Sequence, residues 1–174
     1  FANGLFEPIW HRNHIDHVQI DVPESLGLEQ RASFYEGTGA YRDMVVTHLF
    51  QVLAFTAMEP PTTLDPMAIG EEKNKVFRSM LPIEPHDVVR GQYVGYRSEP
   101  GVARQSDVET FCALRLYIDS WRWQGVPWYL RSGKCLAETA AEVIVQLKPP
   151  PQRLFADSTT PHGPANYYRL RISP

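Results

Sequence analysis

The chain has 174 residues and a formal net charge of -3, with 17 Lys and Arg against 20 Asp and Glu. This length allows one domain with a real core but not comfortably two. The charge gives no indication of binding to nucleic acid or to an anionic membrane surface, and no apolar run is long enough to span a bilayer. Two cysteines, Cys112 and Cys135, are too few for a disulfide scaffold and suit a reducing compartment, so a cytoplasmic location is expected.

The first part of the chain predicts the end of a helix and then a strand. Apolar residues from Phe1 to Trp10 have helical spacing, and residues 17–22 alternate between apolar and polar, as a strand does. Glu24 follows this strand, where its carboxylate is either functional or solvated, and its position alone favours the solvated interpretation. Because the chain begins in mid-pattern without an initiator methionine, we expect it to be a piece of a longer protein.

The central feature of the sequence is a long apolar stretch that predicts a buried helix over residues 38–58. It contains no proline, no glycine after Gly39, and apolar residues on nearly all sides. Thr38 is expected to cap its start, and Glu59-Pro60 to end it. A helix of about 20 residues is about 30 Å long, which is enough to cross a domain.

Asp43 and His48 interrupt this apolar helix. A charged or titratable side chain in such a setting must be paired or must face a cleft. At about 100° per residue the two lie roughly 140° apart, so they do not share a stripe, although they can still flank a ligand lying along the helix. From the helix alone, the simpler interpretation is that Asp43 pairs with Arg42 or a neighbour and that His48 is a core histidine with satisfied hydrogen bonds.

The remainder of the chain predicts one more helix and a run of strands. Asp65 and Pro66 begin a helix that extends to about Leu81, and a polar loop is expected over 157–165. The five predicted strands cover 88–96, 111–118, 126–130, 141–147 and 167–172. Helices followed by successive strands indicate an α+β fold, with a mostly antiparallel sheet covered on one face by helices.

Local motifs give only weak indications of chemistry. The six histidines form no convincing metal set, so no metal is expected, and Gly37-Thr38-Gly39 is too short for a dinucleotide fingerprint. Arg131-Ser132-Gly133-Lys134 is either a basic turn or a strand end that holds anions or sugar hydroxyls. Trp121-Arg122-Trp123 is most simply an aromatic corner with the arginine stacked on a ring.

Several short motifs between Phe1 and about Leu147 nevertheless occur in the same order along the chain as in one protein family. They are Phe1-Ala2-Asn3 with Phe6-Glu7-Pro8 and Trp10, Gly39-Ala40-Tyr41-Arg42-Asp43-Met44 with His48-Leu49 and Gln51, Ala57-Met58-Glu59-Pro60-Pro61, Arg90-Gly91-Gln92-Tyr93, Glu109-Thr110-Phe111, Trp121-Arg122-Trp123 with Gly125-Val126-Pro127, and Arg131 with Gly133-Lys134. In this order and at nearly this spacing they resemble glucose-6-phosphate dehydrogenase. A collinear set is far more specific than any single motif.

The resemblance implies that a hydride leaves C1 of glucose 6-phosphate for NADP and gives the lactone, the first step of the oxidative pentose phosphate pathway. It implies that His48 is the general base for the C1 hydroxyl, a role that suits a group titrating near working pH. Glu24, Asp43 and Lys134 match positions that contact the sugar, where carboxylates accept and an ammonium donates hydrogen bonds. This implication reverses the simpler interpretation of Asp43 and His48.

The resemblance also implies a partial C-terminal domain over residues 1–174, used for substrate binding and dimerisation, without the N-terminal dinucleotide-binding domain that would hold most of the NADP. We therefore expect the chain alone to be inactive, and the protein to form a homodimer or higher oligomer through its sheet. Aromatic residues on both faces of the late strands, such as Tyr129 and Tyr167, agree with a covered sheet. Ile15-Asp16-His17 only imitates the family's Ile-Asp-His-Tyr motif, because it lies at a strand entry.

Two positions depart from the family pattern. Thr139 stands where the family often has Lys or Arg, and Ser173 stands where many members have a sugar-contacting Gln. These departures leave open an alternative, a non-catalytic relative that serves as a regulatory or assembly subunit.

Overall fold

A computed structural model describes residues 3–150 and 165–173, and a six-stranded sheet with the order β2-β3-β4-β1-β5-β6 forms its centre. All neighbouring strands are antiparallel except β1 and β4, which are parallel. The strands are β1 (Ile15–Pro23), β2 (Val88–Gly91), β3 (Phe111–Leu116), β4 (Trp128–Gly133), β5 (Ala141–Leu147) and β6 (Tyr167–Ser173). The predicted α+β class with a mostly antiparallel sheet is confirmed.

One face of the sheet forms the core against the helices. Along β4, Trp128 and Leu130 are 0% exposed, whereas Tyr129 between them is 40% exposed. β3 alternates in the same way, with its buried side chains in register with those of β4. Burying each large apolar side chain stabilises the fold by roughly 1.5–3 kcal/mol, so this alternation fixes which face the helices cover.

A helical path with a kink at Gly39 crosses this buried face in three parts: helix α1 (Ala32–Ala40), a π-helix (Tyr41–Leu49) and helix α2 (Phe50–Ala57). The path ends at Ala57, one residue before the predicted end, since Met58 is already extended. Its predicted start at Thr38 was wrong. Thr38 lies inside α1, and its hydroxyl donates to the Phe34 carbonyl at 2.9 Å instead of capping a helix.

The helical path changes direction at Gly39, which has φ 70° and ψ 170°. The segment that follows is capped by Glu109, because its carbonyl accepts from the Ala40 N–H at 2.9 Å and its carboxylate accepts from the Tyr41 N–H at 2.8 Å. A long-range carboxylate thus takes the role that the sequence assigned to Thr38, and the negative charge suits a helix N-terminus.

The other helices differ from expectation mainly in length. Helix α3 (Pro66–Arg78) ends earlier than predicted, but its cap is confirmed, because Asp65 accepts from the Met67 and Ala68 N–H groups at 3.0 Å each. The helix expected up to Trp10 was wrong over the described residues, where a single 3-10 turn covers Glu7–Ile9.

Strand boundaries differ from expectation as well. β2 ends at Gly91, since Gly95 has a positive φ of 95° and the chain then makes a 3-10 turn. β4 begins and ends later than predicted, whereas β5 has the predicted bounds. The loop predicted over 157–165 lies almost entirely outside the described residues.

The aromatic corner before β4 joins the helical path to the N-terminal segment. The Trp123 indole donates to the Ala57 carbonyl at 2.7 Å. Arg122 is not stacked on a ring as expected: it donates to Glu7 at 2.8 Å and pairs with Glu59. These ion pairs raise the pKa of Arg122 further above its ordinary value. The ring of Trp121 faces Arg12 instead.

Candidate functional site

The parallel pairing of β1 and β4 brings Glu24 and Lys134 together. Pro23 and Gly133 are the last paired residues of the two strands, so the chain leaves both strands at the same edge of the sheet. The Lys134 ammonium then lies 2.5 Å from the Glu24 carboxylate, with the lysine side chain 11% exposed and the glutamate side chain 33% exposed. Glu24 is therefore paired, and the interpretation of a merely solvated carboxylate was wrong.

Arg131 is separated from this pair. It lies within β4, where its side chain projects to the opposite face and pairs with Asp21 at 3.1 Å. The expectation that Arg131 and Lys134 form one basic strand end was therefore wrong, because β4 continues to Gly133. Two residues on alternate sides of a strand cannot hold one anion.

Tyr35, on α1, lies beside the strand edge that carries Lys134. Its side chain is 2% exposed, and the Lys134 ammonium lies 5.4 Å from the centroid of its ring. Burial, followed by the negative charges of Asp43, Glu109 and other acidic neighbours, raises the pKa of the Tyr35 hydroxyl well above its ordinary value. The π-helix that carries Asp43 packs against β4, the strand that ends just before Lys134.

The π-helix changes the relation between Asp43 and His48. Its hydrogen bonds join residues five apart, as the bond from the Phe50 N–H to the Val45 carbonyl illustrates. Residues 43 and 48 are also five apart, so they are about one turn apart and not on opposed sides, and the estimate of roughly 140° was wrong. π-helical turns occur often at functional sites.

His48 is exposed and Asp43 is half-buried, while Val45 and Leu49 on the same segment are buried. The interpretation of His48 as an enclosed core histidine was therefore wrong. Among the residues that the structure describes, neither Asp43 nor His48 has an ion pair, so the expected pairing of Asp43 with Arg42 is not present either. Both side chains are left available to a ligand.

Sequence reasoning missed two residues of this region, Tyr35 and Glu109. Tyr35 carries no sequence signal, since it precedes the predicted start of the helix at Thr38, where an aromatic residue is ordinary. Glu109 is part of a motif that carried the family resemblance, but its capping of the Asp43 and His48 segment depends on a contact between residues far apart in the chain. Glycine at position 39 permits this contact, because a Cβ there would lie 2.7 Å from the Glu109 carboxylate.

Both positions that depart from the family pattern lie at the same edge of the sheet. The Thr139 hydroxyl accepts from the Ser25 N–H at 2.9 Å, next to Glu24. Ser173 pairs with Ala141 at the end of β6, and Ala141 directly follows Ala140, whose N–H donates to the Pro23 carbonyl at 3.1 Å. At both Thr139 and Ser173, a short hydroxyl side chain thus stands at this edge of the sheet where the family pattern has a longer polar side chain.

The described ranges, 3–150 and 165–173, offer neither a metal site nor a membrane-spanning helix. In these ranges no three His, Cys, Asp or Glu side chains are grouped so that they could hold a metal ion. None of the helices found there is long and apolar enough to cross a membrane. Cys112 and Cys135 are both free.

Comparison with known proteins gives one family throughout. The sequence profile described as "Glucose-6-phosphate dehydrogenase, C-terminal domain" matches residues 1–174. Glucose-6-phosphate 1-dehydrogenase of Zymomonas mobilis is 45% identical over 172 residues, covering 91% of this chain and 35% of that protein. Glucose-6-phosphate 1-dehydrogenase 1 of Mycobacterium tuberculosis is 44% identical, covering 100% of this chain and 37% of that protein.

Solved structures agree. The crystal structure of glucose-6-phosphate 1-dehydrogenase from Mycobacterium avium superposes with a TM-score of 0.94 at 44% identity, covering 100% of this chain and 38% of that one. A glucose-6-phosphate dehydrogenase in complex with its substrate glucose-6-phosphate gives a TM-score of 0.90 at 33% identity, with 100% and 37% covered. The chain thus spans little more than a third of the length of these relatives, and it belongs to the C-terminal domain family of glucose-6-phosphate dehydrogenase.

Proposed function

We propose that the full-length protein carrying this chain oxidises glucose 6-phosphate at C1 to 6-phosphogluconolactone, the first step of the oxidative pentose phosphate pathway. The observation that carries the proposal is the pair of Glu24 and Lys134 beside Tyr35 at one edge of the sheet, with the π-helix that bears Asp43 and the exposed His48 packed against β4. Membership of the family supports it, as does the printed description of one similar structure as a complex with glucose-6-phosphate.

The polar groups in this region suit a sugar. The carboxylates of Glu24 and Asp43 accept hydrogen bonds from sugar hydroxyls, and the ammonium of Lys134 donates to a ring or hydroxyl oxygen. Because the Lys134 side chain is 11% exposed, its hydrogen bonds are formed largely away from water, where they are stronger than in bulk solvent. The three side chains are held by different elements, and such a set orients a substrate better than one flexible loop does.

His48 is the proposed general base. As the C1 hydroxyl is oxidised, its proton passes to the imidazole, the C1 hydrogen departs with its bonding electrons, and C1 becomes the carbonyl carbon of the lactone. An imidazole is the side chain most often used for such a transfer at neutral pH. The proposed role of Asp43, about one turn away on the π-helix, is to hold a neighbouring part of the same sugar.

NADP is the proposed cofactor, and when bound it supplies the hydride acceptor. The described residues do not offer it a dinucleotide loop, because Gly37-Thr38-Gly39 lies inside α1 and does not follow a strand. We therefore assign most of its binding to a dinucleotide-binding domain outside this chain, and we treat residues 1–174 as the part that binds substrate and forms the oligomer. A cytoplasmic location belongs to the same proposal, supported by two cysteines that are both free.

The proposed oligomer is a homodimer formed through the sheet face opposite the helices. Exposed apolar and aromatic side chains lie on this face, including Val89 at 62%, Tyr129 at 40% and Tyr167 at 54% exposure. They alternate with the ion pair of Arg131 and Asp21. Such a mixture of aromatic residues and arginine is typical of protein interfaces.

The test of the proposed function is kinetic. In the full-length protein, His48→Asn should lower kcat for glucose 6-phosphate oxidation by about 100-fold to 10,000-fold, the usual contribution of a general base, with a much smaller change in KM. His14→Asn is the matched control, since His14 is also exposed but precedes β1, at the opposite end of that strand from Glu24. A His48→Asn enzyme with normal turnover would refute the assignment of the base.

A further inference from the structure

The surroundings of Lys134 include one contact that its proposed role in sugar binding does not explain. Besides the Glu24 carboxylate at 2.5 Å, the ammonium faces the ring of Tyr35 at 5.4 Å from the centroid. A cation within about 6 Å of a ring centroid is attracted by the negative face of the ring, and the attraction grows when the cation is shielded from water. The lysine side chain is 11% exposed, so this cation–π contact is shielded from water and is stronger than an exposed one.

Tyr35 is itself held in a fixed position. Its side chain is 2% exposed, and its N–H donates to the Arg31 carbonyl at 3.0 Å at the start of α1. Lysine, by contrast, has a long flexible stem that loses rotamer entropy when it is fixed. A rigid ring beneath the ammonium therefore limits the positions that the flexible side chain can adopt before substrate arrives.

The chemistry of the phenol agrees with such a support. Burial and the nearby charges of Asp43 and Glu109 raise the pKa of the Tyr35 hydroxyl, so the ring stays neutral across the working range of pH. A neutral ring attracts the ammonium through its face and leaves the carboxylate of Glu24 as the only anion in direct contact with it among the residues that the structure describes.

We propose that Tyr35 is a positioning residue that acts through Lys134: the face of its ring holds the ammonium where it donates to the sugar of glucose 6-phosphate. This inference rests on the proposed function, and it adds a residue that makes no sugar contact of its own. It follows that the ring matters and the hydroxyl does not, and that removing the ring weakens substrate binding more than it slows turnover.

The experiment measures KM and kcat for glucose 6-phosphate in the full-length enzyme. Tyr35→Leu removes the ring and should raise KM by about 3-fold to 30-fold, the equivalent of one shielded cation–π contact, with kcat within about twofold. Tyr35→Phe keeps the ring and should leave KM within about twofold. Phe34→Leu is the matched control, because its half-exposed ring faces Arg31 at 5.2 Å and not Lys134.

A double-mutant cycle separates positioning from a general structural role. If Tyr35 acts through Lys134, Tyr35→Leu should cause no further rise in KM once Lys134→Met is present. An equal rise in both backgrounds would overturn the proposal. Should Tyr35→Leu fail to fold, as judged by circular dichroism, Tyr35→Met fills a similar volume and replaces it in the cycle.

Two outcomes distinguish this inference from the proposed function. If Lys134→Met raises KM while Tyr35→Leu does not, the role of Tyr35 is refuted and sugar binding by Lys134 stands. If Lys134→Met leaves KM unchanged, the assignment of Lys134 to the sugar is refuted, and the role of Tyr35 with it.

Discussion

Replacing Gly39 by alanine should destabilise the protein, because this residue joins α1 to the segment that carries Asp43 and His48. Its φ of 70° and ψ of 170° lie in a region used almost only by glycine, and an L-residue there costs about 1–3 kcal/mol. The new Cβ would also lie 2.7 Å from the Glu109 carboxylate. Displacing that carboxylate from the Tyr41 N–H weakens a cap worth about 0.5–2 kcal/mol, so the expected loss is about 2–4 kcal/mol.

Gly37→Ala is the matched control. Gly37 lies two residues earlier in the same helix, its backbone is helical, and a Cβ there would meet nothing within 4 Å. Alanine should therefore stabilise the helix at this position by about 0.5–1 kcal/mol. Denaturant unfolding of the full-length protein, followed by fluorescence of the buried Trp123 and Trp128, measures both changes. The reasoning is refuted if the two variants shift stability in the same direction, or if Gly39→Ala unfolds like the wild type.

Two further predictions concern acid stability and assembly. Hydrogen bonds from the Tyr96 and Ser106 hydroxyls lower the pKa of Glu36 below 4.5, so they stabilise the folded state above about pH 4.5, and this stabilisation is lost as pH falls through the lower pKa of the folded state. Tyr96→Phe should therefore reduce the free energy of unfolding most at pH 7 and progressively less below pH 4.5, as measured by denaturant unfolding at each pH. An equal reduction from pH 7 to pH 3 would contradict this. Tyr129→Glu places a charge at the centre of the proposed dimer face and should shift sedimentation towards the monomer. Trp121→Glu, at a residue 91% exposed outside the strands, should not, and an intact Tyr129→Glu dimer would argue against this interface.

Much of the fold could be predicted because it depends on local patterns. β5 alternates apolar residues between a Pro-rich stretch and a loop, and its bounds were predicted correctly. The cap of α3 was predictable because Asp65 and Pro66 act on their immediate neighbours. The α+β class followed from the spacing of apolar residues, which changes along the chain from helical to alternating. Tertiary contacts do not alter this pattern.

The errors arose where distant parts of the chain decide local structure. The true cap of the Asp43 and His48 segment comes from Glu109, and the pairing of Glu24 with Lys134 depends on the parallel contact of β1 and β4. Neither contact leaves a local pattern. The apolar content of residues 38–58 indicates that the helix is buried but not on which side, so the helix alone favours a core position for His48, which is exposed.

The most direct test of the central claim is a crystal structure of the full-length protein with glucose 6-phosphate bound. We expect a ring nitrogen of His48 to lie about 2.6–3.2 Å from the C1 hydroxyl oxygen, the reach required of a general base, with Lys134 and Asp43 in contact with the same sugar. A sugar bound elsewhere, or bound with its C1 hydroxyl beyond the reach of His48 and facing a different base, would contradict it.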